Sequence, residues 1–161
     1  MSRALRFVMA LWMATAFAAE PDGLRVARLV VAEGNHARDD ARVPSLVPDA
    51  RLVRAAQAYA DYLARHDRFD HDADGRTPMQ RATAEGYPAC RVAENIAYEY
   101  RSRGFESEAL SKVLVHDWME SRGHRRNLLD ARLRDTGVGI AQSEGTKRWY
   151  AVQLFGARKC N

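Results

Sequence analysis

The sequence is short of cysteine, proline and long apolar stretches. Two cysteines in 161 residues exclude a disulfide-dense miniature scaffold and a four-cysteine zinc module. Beyond the first twenty positions no apolar run approaches the roughly 20 residues that a membrane span requires. Charge of one sign is not in excess either: 25 basic residues face 21 acidic ones, a net +4, and the two signs are interspersed. No basic stripe carries the aromatic residues on which single-stranded nucleic acid stacks, so nucleic acid is not an expected partner. What is present is 47% hydrophobic and 29% charged residues, the balance of one folded domain.

Residues 1–18 have the pattern of a secretory signal peptide. Arg3 and Arg6 supply the positive start. Phe7 to Phe17 is an acid-free apolar run, and Ala16-Phe17-Ala18 gives a small-x-small cleavage pattern. The run is too short to anchor the chain in a membrane. The expectation is cleavage after Ala18, a single mature domain over 19–161 with no transmembrane segment, and export to the periplasm or the medium. Cleavage leaves 23 basic against 21 acidic residues, a net +2. In an oxidising compartment a Cys90–Cys160 disulfide is the default, closing about 70 residues for roughly 4 kcal/mol by loop entropy. A two-cysteine metal site is the alternative, but neither cysteine has a second ligand pair near it in sequence.

Leu24, Ala27, Leu29, Val30 and Val31 are spaced as in a helix over 24–41, and Pro44 and Pro48 follow it. Asp49 stands where an N-cap belongs, before an amphipathic helix over 50–66 through Leu52, Val53, Ala56, Tyr59, Ala60 and Leu63. Residues 67–76 are polar and irregular. Thr77-Pro78-Met79-Gln80 forms a capping box for a short helix to about Glu85, which Gly86 stops. Residues 91–98 read as a strand and 106–121 as a helix that Gly123 breaks, with a turn of helix through Asn127 to Leu129. Thr136 to Gln142 and Arg148 to Phe155 read as strands joined at Glu144-Gly145, the last apolar on both sides and therefore central. Helices covering a small antiparallel sheet, an α+β fold, is the architecture implied.

Several familiar patterns fail. Gly137-Val138-Gly139 begins like a dinucleotide fingerprint, but Gln142 stands at the third glycine and no helix follows. Asp70, Asp72 and Asp74 alternate as in a calcium loop, yet the twelfth position is Arg81, so the cluster reads as a polar turn. His36, His66 and His116 lie among charged residues on helix surfaces and read as solvated, with His116 and Glu120 spaced for an i,i+4 pair.

A series of phrases in order resembles the CAP superfamily of cysteine-rich secretory, antigen 5 and class 1 pathogenesis-related proteins, also called SCP-domain proteins. The phrases are Asn35-His36-Ala37-Arg38, Pro44-Ser45-Leu46, Ala58-Tyr59-Ala60, Phe69-Asp70-His71, Asp74-Gly75, Arg81, Gly86-Tyr87 and Ala93-Glu94-Asn95-Ile96-Ala97. After them come Trp118-Met119-Glu120-Ser121-Arg122-Gly123-His124-Arg125, Gly137-Val138-Gly139, Gln153 and Phe155-Gly156. They span about residues 28–156, and the placing of Cys90 and Cys160 is similar to the bacterial branch. The resemblance implies an α-β-α sandwich with a three-stranded antiparallel sheet between helices, and a cleft lined by two histidines and two glutamates. His71 and His124 match the histidine positions and Glu94 the first glutamate. Ser121 stands at the second glutamate position, and Glu120 falls one residue early, about 100° away on a helix. Ala93 stands where glycine is frequent.

Two imidazoles and a carboxylate suit a divalent metal, zinc first, with water completing the shell. Within the family, lipid and sterol binding recur, and Tyr98, Tyr100, Phe105, Trp149 and Tyr150 are candidate groove residues, although aromatics at such spacings are commonly core. The favoured expectation is a monomeric, non-catalytic binding or structural module for a divalent metal, a sterol or another small amphiphile. The alternative is a metal-dependent hydrolase or a protease at the same cleft, with Ser121 as the available nucleophile.

Overall fold

Helix α1 spans Gly23–Asp40 and starts where the Asp22 side chain accepts the Leu24 N–H. This computed structural model describes residues 21–159, so the expected leader, its cleavage site and Cys160 lie outside the described residues. The buried stripe of α1 is Val26, Val30, Gly34 and Arg38, one residue per turn. Arg38 is fully buried, and its guanidinium donates to the carbonyls of Pro44, Leu128, Asp130 and Leu133. Asn35 grips Leu46 through both its backbone groups. The Asn35–Arg38 phrase thus ties α1 to two later loops.

Strand β1, Val47–Pro48, is followed by α2, Ala50–His66. Asp49 caps α2 as its position predicts, accepting the Arg51 N–H. Leu52, Ala55, Ala56, Tyr59, Ala60 and Leu63 face inward, and the last turn ends on Asp67 in the left-handed conformation. Helix α3, Pro78–Ala84, has both halves of the Thr77/Gln80 capping box. Strand β2 is Arg91–Glu99 and helix α4 is Ser107–Glu120.

The expected break at Gly123 is not where the chain turns. Ser121 is extended, and a full helix α5, Arg122–Leu128, starts directly after it with Gly123 inside. The expected Asn127–Leu129 turn is therefore the end of a seven-residue helix. Strands β3, Asp135–Gln142, and β4, Trp149–Ala157, close the chain.

The sheet order is β1-β3-β4-β2. The three long strands are antiparallel, and the two-residue β1 adds a fourth, parallel to β3. This corrects the three-stranded expectation: the N–H groups of Val47 and Asp49 reach the carbonyls of Arg134 and Thr136, a pairing too short to leave a hydrophobic pattern. All nine residues of β4 are buried, as a central strand requires. One core, with Trp118, Leu110, Leu114, Val30 and Phe155, lies under α1, α4 and α5. The other, with Leu52, Tyr59, Leu63, Ile96 and Val152, lies under α2 and α3. The result is an α-β-α sandwich in the α+β class.

Candidate functional site

Because β2 is an edge strand, groups from both helical layers reach it. Its outward carbonyls are covered rather than left open: Trp118 Nε1 donates to Ile96 O at 3.2 Å, and Asn127 Nδ2 donates to Glu94 O at 3.1 Å. Asn95, fully buried, donates to His124 O at 3.1 Å and accepts from Asn127 at 3.1 Å. These contacts hold α5, and with it His124, against the Glu94-Asn95 step of β2. They also protect the edge from pairing with another chain.

On the other side, the loop after α2 brings His71 to Glu94. His71 Nδ1 lies 2.8 Å from Glu94 Oε1, and the Glu94 side chain is only 1% exposed whereas that of His71 is 50% exposed. The second oxygen, Oε2, accepts from Arg81 Nη2 at 2.8 Å. Arg81 is itself buried, stacked 3.5 Å from the centre of the Tyr59 ring. It also donates to Asp74 and to the carbonyls of Arg76 and His71. Asp74 therefore serves as a partner of Arg81 within the polar turn. Sequence reasoning placed Arg81 among the family phrases without giving it a role.

The electrostatics separate the two imidazoles. The hydrogen bond to Glu94, and then its charge, raise the pKa of His71 against the opposing effect of burial. Burial lowers that of His124, and the charge of nearby His71 lowers it further. His71 is thus the ring that holds a proton more readily. Its Nδ1 faces Glu94, which leaves Nε2 as the nitrogen available to a ligand.

A direct His71–Glu94–His124 metal triad does not fit this arrangement. Both Glu94 oxygens are engaged, and among the described residues no three His, Cys, Asp or Glu side chains gather as a set able to hold a metal ion. Glu94 stands behind the His71 ring as the outer partner of a ligating histidine does.

The weaker candidates fall outside the cleft's polar network. Glu120 is the exposed last residue of α4, two positions and about 200° from buried Trp118. Ser121 is half-buried at the α4–α5 junction, and its hydroxyl caps neither helix. Of the aromatics named for a groove, Phe105, Trp149 and Tyr150 belong to the core, while Tyr98 and Tyr100 are exposed. Phe69, which was not among them, meets Tyr98 edge-on at 4.9 Å.

Fold and site together define an α-β-α sandwich with a histidine–glutamate pair at the edge strand of its sheet. Residues 31–155 match the family described as CAP: Cysteine-rich secretory protein family, and the chain belongs to that family. A Bacillus subtilis (strain 168) protein, YkwD, is 27% identical over 115 residues, which are 71% of this chain and 42% of YkwD. The chain thus spans under half the length of that relative. Among solved structures, an outer surface protein from Borrelia burgdorferi superposes with a TM-score of 0.75 at 22% identity, over 88% of this chain and 99% of that one. An extracellular protein containing a SCP domain from Bacillus anthracis str. Ames gives 0.70 at 21% identity, over 84% of this chain and 41% of that one. No helix among the described residues is long and apolar enough to cross a membrane.

Proposed function

We propose that this chain is an exported, non-catalytic binding module whose cleft takes a divalent metal ion through His71 and His124. The observation that carries the reading is the engagement of Glu94, whose two oxygens accept from His71 and Arg81 at 2.8 Å each. A carboxylate held in this way orients an imidazole for a ligand, as outer partners of ligating histidines do. Bonded to His71 and to a buried arginine, it is placed to orient that ring rather than to take a proton from a substrate. Zinc is the first candidate for a nitrogen site, and a bound zinc would lower the pKa of its water.

Elemental analysis and zinc titration test this reading on the folded protein. About one zinc per chain is expected in the wild type, with loss in both His71→Ala and His124→Ala. Glu94→Gln should retain zinc with roughly 10–100-fold weaker affinity. A folded wild type that takes up no zinc overturns the metal reading. Hydrolysis of a peptide library that Ser121→Ala abolishes overturns the non-catalytic one.

A second reading has one observation in its favour. Phe69 and Tyr98 are 49% and 39% exposed while touching each other, and this apolar ridge lies two residues along the chain from His71. It suits a small amphiphile or sterol. Uptake of a fluorescent sterol, reduced by Tyr98→Ser, supports it, and no uptake across several amphiphiles counts against it.

Export, cleavage of residues 1–18, a monomeric state and a Cys90–Cys160 bond belong to the same proposal. The Cys90 N–H donates to Ala157 O at 2.8 Å, so the end of β4 runs beside it, and Cys160 follows three residues later. Intact mass before and after reduction tests both the cleavage site and the bond.

A further inference from the structure

Basic residues gather at one end of the sheet. Arg91 opens β2, Arg132 and Arg134 precede β3, and Arg158 and Lys159 follow β4. These strands are neighbours, with Arg91 paired to Ala157 and Asp135 to Gly156. Between β3 and the end of β4 lies a hollow of about 380 Å³. Its polar lining is Arg132, Arg134, Asp135, Arg158 and Lys159, and its apolar lining is Val47 and Ala157.

The carboxylates here are already engaged. Asp135 accepts from Arg158 Nε at 2.8 Å and from the Tyr87 hydroxyl at 2.7 Å. Asp49 accepts from Arg158 at 2.9 Å and from Arg51 at 2.6 Å. Asp130 accepts twice from Arg132, at 2.9 and 2.7 Å. Arg91, Arg134 and Lys159 have no acidic partner among the described ion pairs. The Arg134 guanidinium is held by the carbonyls of Ala131 and Leu133, which position it without neutralising it.

We propose that this hollow binds a phosphate monoester, with Arg134 and Lys159 as its principal contacts and Arg91 bordering them. A phosphate monoester brings about −1.5 to −2 charges and three acceptor oxygens, which suits several cations converging from adjacent strands. Guanidinium groups meet such oxygens with paired N–H donors. Among the described residues no aromatic side chain lines the hollow, so none is there for a nucleotide base to stack on. Val47, 61% exposed, offers apolar surface to an aliphatic group carrying the phosphate. The hollow shares no residue with the histidine cleft and stands independently of the metal reading.

The test titrates the folded protein with inorganic phosphate, and separately with phosphatidylcholine vesicles containing phosphatidic acid. Two double variants are compared: Arg134→Gln/Lys159→Gln, which breaks no ion pair among the described residues, and the charge-matched control Arg103→Gln/Lys112→Gln. Binding is expected in at least one arm, weakened by salt, at least tenfold weaker in the first variant and unchanged in the control. Vesicle binding that inorganic phosphate does not compete away assigns a lipid headgroup; saturation by inorganic phosphate assigns the free anion. Absence of binding in both arms, or an equal loss in both variants, overturns the proposal, as does binding of duplex DNA in preference to either probe. Retained phosphate binding in His71→Ala keeps this outcome separate from that of the cleft.

Discussion

Arg81 and Glu94 meet at 2.8 Å through Nη2 and Oε2, with side chains 5% and 1% exposed. Burying both charges is costly, so the pair is held by its surroundings: Asp74 and two carbonyls on the arginine, and His71 on the glutamate. Removing one partner leaves the other charge buried and uncompensated. Arg81→Met is expected to cost about 3–5 kcal/mol in urea unfolding, and Arg81→Met/Glu94→Leu less than Arg81→Met alone. A single variant as stable as the wild type would show that the pair does not hold the cleft.

The two cleft histidines should titrate apart. The bond to Glu94 raises His71 above the ordinary value of 6.5, and burial lowers His124 below it. The raised group stabilises the fold below about pH 6.5, and that contribution is lost as pH rises through the His71 midpoint. The depressed group acts the other way: its contribution is present above about pH 6.5 and is lost as pH falls through the His124 midpoint. Imidazole NMR is expected to show one midpoint on each side of the free value, and Glu94→Gln should bring the His71 midpoint down. Coincident midpoints in the wild type would refute the assignment.

Glu99, at the other end of β2, forms an acid pair with Asp117 of α4. Burial first, then the hydrogen bond and charge of Asp117, push its carboxyl up to about 7 from 4.5. A raised carboxyl favours the fold while protonated, so its contribution is full below about pH 4.5 and is lost as pH rises through about 7. Glu99→Gln is therefore expected to flatten the fall in the urea midpoint between about pH 5 and pH 8. Asp117→Asn should lower the Glu99 midpoint, read by carboxyl NMR. An unchanged pH profile in Glu99→Gln would remove this pair from the account.

Local signals in the sequence were the most legible. Asp49 and the span 50–66, the Thr77/Gln80 box and the three long strands all have short-range causes: a cap, a period or an alternation. β1 was not legible, because two residues held by two N–H donors carry no periodicity. Gly123 misled because glycine is permissive rather than obligatory; the extended backbone of Ser121 makes the break. For the site, His71, Glu94 and His124 came from family resemblance, since 23 and 30 residues separate them along the chain. Arg81 stood among the family phrases and at the twelfth position from Asp70, with no role of its own. Its burial depends on Tyr59, Asp74 and Glu94 arriving from three other segments, and no local pattern records that.

The glycines of β3 determine how closely α2 can approach the sheet. A Cβ on Gly137 would lie 2.1 Å from the Leu52 carbonyl carbon, and one on Gly139 would lie 2.4 Å from Ala56 backbone. Both obstacles are helix backbone, which cannot move aside as a side chain does. Gly137→Ala must lift α2 from the strand and is expected to cost more than about 3 kcal/mol, because overpacking here separates a whole layer. Gly123 is the matched control: it lies within α5 and a Cβ there meets nothing within 4 Å. Gly123→Ala should instead stabilise by about 0.5–1 kcal/mol, through helix propensity and a less flexible unfolded chain. Urea unfolding of the two variants side by side checks both signs, and a mild effect at Gly137 would mean that α2 does not rest on β3 as closely as described.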